Sequence, residues 1–167
     1  MRRIYLLSTG GTIEKVYSEQ SGVVENRAAK LDRYLRMLRL PDADIRTIHL
    51  MNKDSLEMTD ADRAEIRDRV AGLSSEGAAI VISHGTDTMV ETGLFLEQSF
   101  PDLKVPVILT GAMTPLGFEG SDGLQNLTES LFAARLLSPG VYVVMHGQVF
   151  PMGRVRKDTD KATFVWT

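Results

Sequence analysis

The sequence predicts a doubly wound, three-layer α/β fold: a parallel sheet of about five main strands with a C-terminal β-hairpin extension. Short apolar runs alternate with longer amphipathic segments along the chain, the order expected of repeated β-α units. The runs are almost wholly apolar, as in Ala78 to Ser83 and Val105 to Leu109, which suits strands covered on both faces. Polar, glycine-containing stretches follow the runs, where the strands of an open parallel sheet present their carboxyl ends and where ligands bind. A length of 167 residues fits one domain, with no repeat or linker dividing it, so residues 1–167 read as a single unit.

Taken in order, Ile4 to Ser8 is the first strand, ending in the tight loop Ser8-Thr9-Gly10-Gly11-Thr12. Glu14 to Arg27 has no clear period and reads as a mobile surface loop. Helical spacing at Leu31, Tyr34, Leu35 and Leu38 stops at Pro41. Ile45, Ile48 and Leu50 suggest a second strand. Thr59 is a plausible N-cap, with Asp60 and Asp62 at the positive end of a helix whose buried stripe is Ile66, Val70 and Leu73. Ala78 to Ser83 is a central strand running into His84-Gly85-Thr86-Asp87-Thr88, and a helix follows through Leu94, Leu96 and Phe100. Val105 to Leu109 is the fourth strand, Leu124 to Ala134 the next helix, and Val141 to Met145 the fifth strand. Val149, Val155 and Thr163 to Trp166 form the predicted hairpin or edge extension.

Composition removes several classes of function. The chain has no cysteine, which excludes a disulfide framework, thiolate catalysis and cysteine-based zinc sites. His49, His84 and His146 lie far apart and show no metal-ligand spacing. Nineteen basic against twenty-two acidic residues give a formal charge of −3, whereas a nucleic-acid groove or an anionic membrane surface calls for a positive field. The cluster of Arg154, Arg156, Lys157 and Lys161 is interrupted by Asp158 and Asp160. Ile4 to Leu7 is too short for a signal-peptide core or a membrane span. A cytoplasmic protein is expected.

The polar residues beyond the strand ends carry the chemistry. Gly10-Gly11 lets the backbone approach a ligand and presents amide groups to a carboxylate or oxyanion; equally, the two glycines simply turn the chain. No G-x-G-x-x-G or G-K-[ST] pattern accompanies them, so a nucleotide is not expected. Asp87 or Thr88 can cap the helix that follows them, and His84 reads as a packed histidine. Thr12, Ser55, Thr86, Asp87 and Lys157 then line one rim of the sheet. A threonine hydroxyl is a poor nucleophile until a base acts on it. A lysine desolvated in a cleft can serve as that base, with Asp87 orienting it or binding a substrate ammonium.

Thr9-Gly10-Gly11-Thr12-Ile13 followed by His84-Gly85-Thr86-Asp87-Thr88-Met89 resembles the bacterial L-asparaginase/glutaminase family. Thr110-Gly111-Ala112-Met113, Ser121-Asp122-Gly123 with Asn126, and Gly153-Arg154 leading to Lys157 and Ala162-Thr163-Phe164 extend the resemblance in family order. It covers the family's amino-terminal domain, so the chain is similar to short-chain bacterial asparaginases without the usual carboxy-terminal domain. The resemblance implies hydrolysis of L-asparagine by double displacement with no cofactor or metal. Thr12 matches the nucleophile, and Thr86, Asp87 and Lys157 match the proton-relaying group, with Lys161 as the fallback for Lys157. Tyr17 matches the lid tyrosine that orients Thr12. Ser55 matches the serine that holds the α-carboxylate, and Asp87 the group that meets the α-ammonium. Backbone groups of Gly11, Gly85 and Ala112 surround the bound substrate.

Two departures stand out. Leu56 occupies the position where many relatives carry glutamine. Relatives also complete the site with an acidic residue from a neighbouring subunit's carboxy-terminal domain. A binding module that senses asparagine without hydrolysing it, and an amidotransferase component acting with a partner on transfer RNA, are the alternative readings. Relatives assemble as homodimers or homotetramers, and Phe118, Phe150, Met152, Phe164 and Trp166 either mark such an interface or pack on their own core.

Overall fold

The computed structural model describes residues 2–26 and 30–167; Arg27, the predicted end of the first long loop, lies outside them. In chain order the elements are β1 (Arg2–Gly10), β2 (Lys15–Tyr17), β3 (Val24–Asn26), α1 (Lys30–Leu35), β4 (Ala43–Lys53) and α2 (Asp60–Ser74). There follow β5 (Ala79–Ser83), α3 (Met89–Ser99), β6 (Pro106–Thr110), α4 (Gly123–Ala133), β7 (Gly140–Met145), β8 (Gln148–Pro151), β9 (Val155–Asp158) and β10 (Thr163–Trp166). Single 3-10 turns occupy Thr12–Glu14 and Ser55–Glu57.

The main sheet has the order β4-β1-β5-β6-β7-β8. Its first five strands are parallel, and β8 joins the edge antiparallel to β7. His146 and Gly147, both with positive φ (51° and 74°), make the two-residue turn between β7 and β8, the backbone geometry a tight hairpin requires. Side-chain alternation splits the core in two. Tyr5, Leu7, Ile80, Ile82, Val107 and Leu109 meet Ile66 and Val70 of α2 and Met89 and Leu96 of α3 on one face. Ile4, Leu6, Val81 and Ile108 meet Leu31 of α1 and Leu127 and Leu131 of α4 on the other. Both faces are covered, which is why the inner strands β5 and β6 are almost wholly apolar, while the edge strand β4 carries polar residues such as Asp44, Arg46 and His49.

The tail is part of the first core. Phe150 and Phe164 are fully buried and Met152 nearly so, so these three fill the domain's own interior, while Phe118 and Trp166 stay exposed. Burying each phenylalanine stabilises the docked tail by roughly 1.5–3 kcal/mol. The antiparallel β9–β10 hairpin is thereby held against the α2–α3 face, and Lys157 rides on it.

The structure corrects the expectation of a mobile loop from Glu14 onward. Thr12–Glu14 is a 3-10 turn, and Lys15–Tyr17 pairs with Val24–Asn26 as a small antiparallel hairpin. Glu14, Val16 and Ser18 are buried. Three-residue strands are too short to show a period, and a buried carboxylate looks like a surface residue in a sequence. The α1 helix also stops well before Pro41, because its last turns tighten to i→i+3 bonds from Met37 N to Tyr34 O and Leu38 N to Leu35 O.

The α2 start is a capping box: Asp62 N donates to Thr59 Oγ1 (3.3 Å) and Thr59 N donates to Asp62 Oδ2 (2.7 Å). Lys53 Nζ, 2.6 Å from Asp62 Oδ1, and then the Thr59 amide pull the Asp62 carboxyl from its ordinary 3.8 down to about 2. A depressed acid stabilises the fold fully above its unfolded pKa and loses that contribution as pH falls toward the folded one. Asp62→Asn should therefore cost about 1 kcal/mol at pH 7, and the difference should vanish as the pH is lowered from about 4 to 2. Urea unfolding across that range measures it.

Candidate active site

Three strand ends meet where side chains are missing. Gly10 and Gly11 both have positive φ, 99° and 83°, a conformation that favours glycine. Gly11 N donates to Lys53 O (2.9 Å), joining the end of β1 to the end of β4. A Cβ on Gly11 would lie 2.4 Å from the Gly85 nitrogen, and a Cβ on Gly85 would lie 2.5 Å from Ser55 Cβ and Oγ. Gly11, Gly85 and Ser55 are thus in van der Waals contact through bare backbone. Thr12 follows Gly11 and Thr86 follows Gly85, so both hydroxyl-bearing residues leave the same contact point.

Ser55 opens the 3-10 turn that Asp54 caps by accepting from Leu56 N (3.1 Å). Its Oγ is buried and has no hydrogen-bond partner among the described residues. A buried hydroxyl without a partner is costly, and here it stands beside the Gly85 backbone. Thr88 occupies the N-cap position of α3, yet no side chain caps the helix there. Its hydroxyl donates instead to Ser55 O (2.9 Å), tying the β5 loop to the Ser55 turn. That corrects the capping expectation for Thr88.

Lys157 comes from the tail hairpin and reaches across to the β5 loop. Its Nζ donates to Thr86 Oγ1 (2.8 Å) and to Asp87 Oδ1 (2.6 Å). Only 19% of the Lys157 side chain is exposed, against 72% for Lys161, which lies 3.8 Å from Asp158 in the hairpin turn. The structure therefore brings Lys157, and not the fallback Lys161, to Thr86 and Asp87. Tyr17 ends β2 and is 58% exposed, while Leu56 is exposed beside Ser55. Lys15 Nζ binds Asp54 Oδ2 at 2.7 Å, which ties the strand of Tyr17 to the Ser55 turn.

The β6 loop is fixed by a polar hub that sequence reasoning did not assign. Asp122 accepts from Met113 N (3.0 Å), Thr114 N (2.9 Å), Asn126 Nδ2 (2.9 Å) and His146 Nε2 (2.7 Å). Burial works to raise the Asp122 carboxyl, but these donors outweigh it and hold it below the ordinary carboxylate range. Asn126 also donates to Gly111 O (3.0 Å). Ala112, fully buried, is held on both sides through Gly111 and Met113. The hub's partners lie up to 33 positions apart, from Met113 to His146, and only Ser121-Asp122-Gly123 with Asn126 hinted at it.

His84 is a packed histidine, as its place in the sequence predicts. Gly85 O can only accept, so Nδ1 carries the proton toward it (2.7 Å), and Nε2 accepts from Thr92 Oγ1 (2.9 Å). Burial drives its pKa from 6.5 down to about 4. Glu14 is the second site-adjacent residue that sequence reasoning missed. Burial pushes its carboxyl up, against the pull of donors from Ser8 and Gly10.

A family model for the asparaginase N-terminal domain matches residues 3–164. The chain belongs to the asparaginase family. The L-asparaginase of Thermococcus kodakarensis is 32% identical over 155 residues, spanning 93% of this chain and 47% of that protein. L-asparaginase 1 of Escherichia coli strain K12 is 36% identical over 140 residues, spanning 80% and 40%. Among solved structures, the thermostable Thermococcus kodakarensis L-asparaginase superposes with a TM-score of 0.86 at 30% identity, over 98% of this chain and 51% of that one. The Probable Cytoplasmic L-asparaginase of Campylobacter jejuni gives a TM-score of 0.78 at 30% identity, again over 98% and 51%. This asparaginase-family chain thus spans about half the length of these relatives, or less.

Two outcomes follow from the geometry. Gly11→Ala should destabilise the protein by at least about 2 kcal/mol, because strain at positive φ adds to a clash with backbone that cannot swing aside; chemical denaturation reads this. A histidine depressed in the fold stabilises fully above its unfolded pKa and loses that contribution as pH falls. Stability should therefore decline from pH 6.5 toward 4, and His84→Gln should flatten that slope in thermal melts.

Proposed function

We propose that the chain hydrolyses L-asparagine to L-aspartate and ammonia, with Thr12 as nucleophile. The observation that carries the reading is the pair of bonds from Lys157 Nζ to Thr86 Oγ1 and Asp87 Oδ1, at 2.8 and 2.6 Å. At these distances Lys157 Nζ is within proton-transfer reach of both Thr86 and Asp87. Family membership and the named L-asparaginases among the relatives support the same chemistry.

The atoms balance in two displacements. Thr12 Oγ1 attacks the side-chain amide carbon, and its proton enters the relay of Thr86, Lys157 and Asp87. The C–N bond breaks as the relay returns that proton to the departing nitrogen, which leaves as ammonia. Water then attacks the acyl-threonine, one proton travels back through the relay to Thr12, and aspartate is released. Backbone amides stabilise the oxyanion, a contribution of about 3–4 kcal/mol for each well-placed donor. Ser55 Oγ, buried and lacking a partner among the described residues, is suited to a substrate carboxylate, and Asp87 to its ammonium. Gly11, Gly85 and Ala112 supply backbone around the substrate, and Tyr17 orients Thr12 from the β2–β3 hairpin. The mechanism requires no cofactor.

The remaining parts of this reading concern assembly. A homodimer or homotetramer in the cytoplasm fits the exposed Phe118 and Trp166, and a neighbouring subunit's acidic group completes the ammonium site. Mass measurement in solution tests the assembly, and a strict monomer removes it.

The expected result for the purified protein is ammonia release from asparagine, falling by at least about 10³-fold in Thr12→Val and in Lys157→Met. Wild-type rates in both variants would remove the nucleophile and the relay. Calorimetric binding of asparagine with no ammonia formed would favour a sensor instead.

A further inference from the structure

Glu14 is fully buried two residues beyond Thr12, and the chemistry above makes no use of it. Its carboxyl accepts from Gly10 N (2.8 Å) and from Ser8 Oγ (2.8 and 2.9 Å to its two oxygens), with Ser83 Oγ at 3.5 Å. Ser8 and Ser83 are register partners on β1 and β5. Thr9 Oγ1, alongside, donates to Ser83 O (2.6 Å). Glu14 N also donates to Gly11 O (3.1 Å). The segment from Gly10 to Glu14 is therefore closed twice, once by side chain and once by backbone, with Thr12 inside the loop so formed.

A buried carboxyl is an expensive way to fill space that an apolar side chain would fill without desolvation. Its placement needs a purpose other than packing, and its partners indicate one. Gly10 and Gly11 have the greatest conformational freedom in the turn, so the turn is the part of the site least able to hold itself. The carboxyl removes that freedom and refers the turn to the ends of two core strands. One of those strands, β5, continues directly into His84-Gly85-Thr86.

We propose that Glu14 is a positioning residue: its carboxyl clamps the Gly10-Gly11-Thr12 turn onto β1 and β5 and so sets where the Thr12 hydroxyl stands relative to Thr86. This rests on the reading of Thr12 as nucleophile. Glu14 touches neither substrate nor reacting atoms and acts through the turn. A displacement of about 1 Å at a reacting group can cost 10²-fold in rate. Binding of the α-carboxylate at Ser55, on a different loop, is left intact.

The test is steady-state ammonia release by the full chain carrying Glu14→Ala, Glu14→Asp or Glu14→Gln, with amide exchange of Gly10 and Gly11, whose N–H groups donate to Glu14 and to Lys53 O, followed by NMR. Glu14→Ala should lower kcat about 10²-fold with KM within about 3-fold. Glu14→Asp, one methylene short of Gly10, should lower kcat about 10-fold and remains informative if the alanine variant does not fold. Glu14→Gln keeps an acceptor oxygen for Gly10 N–H and an amide group for Ser8, so it should recover kcat to within about 5-fold of wild type. Exchange at Gly10 and Gly11 should quicken at least about 10-fold in the aspartate variant and stay slow in the glutamine one. The clamp is overturned if the aspartate and glutamine variants behave alike, or if KM rises in step with the fall in kcat. Should the wild-type chain release no ammonia, the exchange rates alone decide: quickened exchange in Glu14→Asp keeps the clamp and discards the nucleophile, and unchanged exchange discards the clamp.

Discussion

The contact of Gly11 with Gly85, and of Gly85 with Ser55, is the constraint on which the rest of this site depends. Three loops from β1, β5 and β4 come together only because two of them carry no side chain at the point of approach. In a parallel sheet adjacent strand ends stand about 5 Å apart, too close for side chains on every loop to face inward. Glycine at the crossing lets the backbones touch, and the next residue in each loop, Thr12 or Thr86, is held next to that contact. Glycine at these positions is thus a packing requirement as well as a turning one.

A crossing built from glycine is also intrinsically loose, and the surrounding structure compensates. Glu14 ties the β1 turn to the sheet, Thr88 ties the β5 loop to Ser55, and Asp122 with Asn126 ties the β6 loop to α4 and to the β7–β8 turn. Each tie is a buried or half-buried hydrogen bond, and bonds shielded from water are the ones whose loss is felt. The pattern is a rigid sheet, permissive turns at its edge, and polar braces that choose one conformation for each turn.

The repeating part of the fold was legible because it obeys a period. Apolar strands such as Ile80 to Ile82 and amphipathic helices such as the one from Thr59 announce themselves by hydrophobic spacing and a cap. So were the polar residues at the strand ends, since the architecture says where to look. What the sequence hid has two causes, the first being that a polar side chain serving long-range geometry looks like any surface residue. Glu14 follows a loop motif and reads as solvated. Asp122 stands just before a helix, yet its carboxylate caps nothing and organises the Ala112 loop instead. Phe150 and Phe164 lie in a short irregular tail where periodicity has no length in which to appear, so burial and an interface could not be told apart.

That tail shows how packing and chemistry are coupled. Lys157 sits on a four-residue strand with one hairpin partner, an element that would not persist alone in water. It persists because Phe164, paired across from Lys157 in the hairpin register, is driven into the α2–α3 core, with Phe150 and Val155 beside it. Directly opposed residues in an antiparallel pair project to the same face, so Lys157 is carried inward with its partner, toward Thr86 and Asp87. Its Nζ then needs an acceptor, and Asp87 provides one at 2.6 Å. The hydrophobic effect places the amine and its bonds to Asp87 and Thr86 fix its direction; neither alone would deliver it to the end of β5.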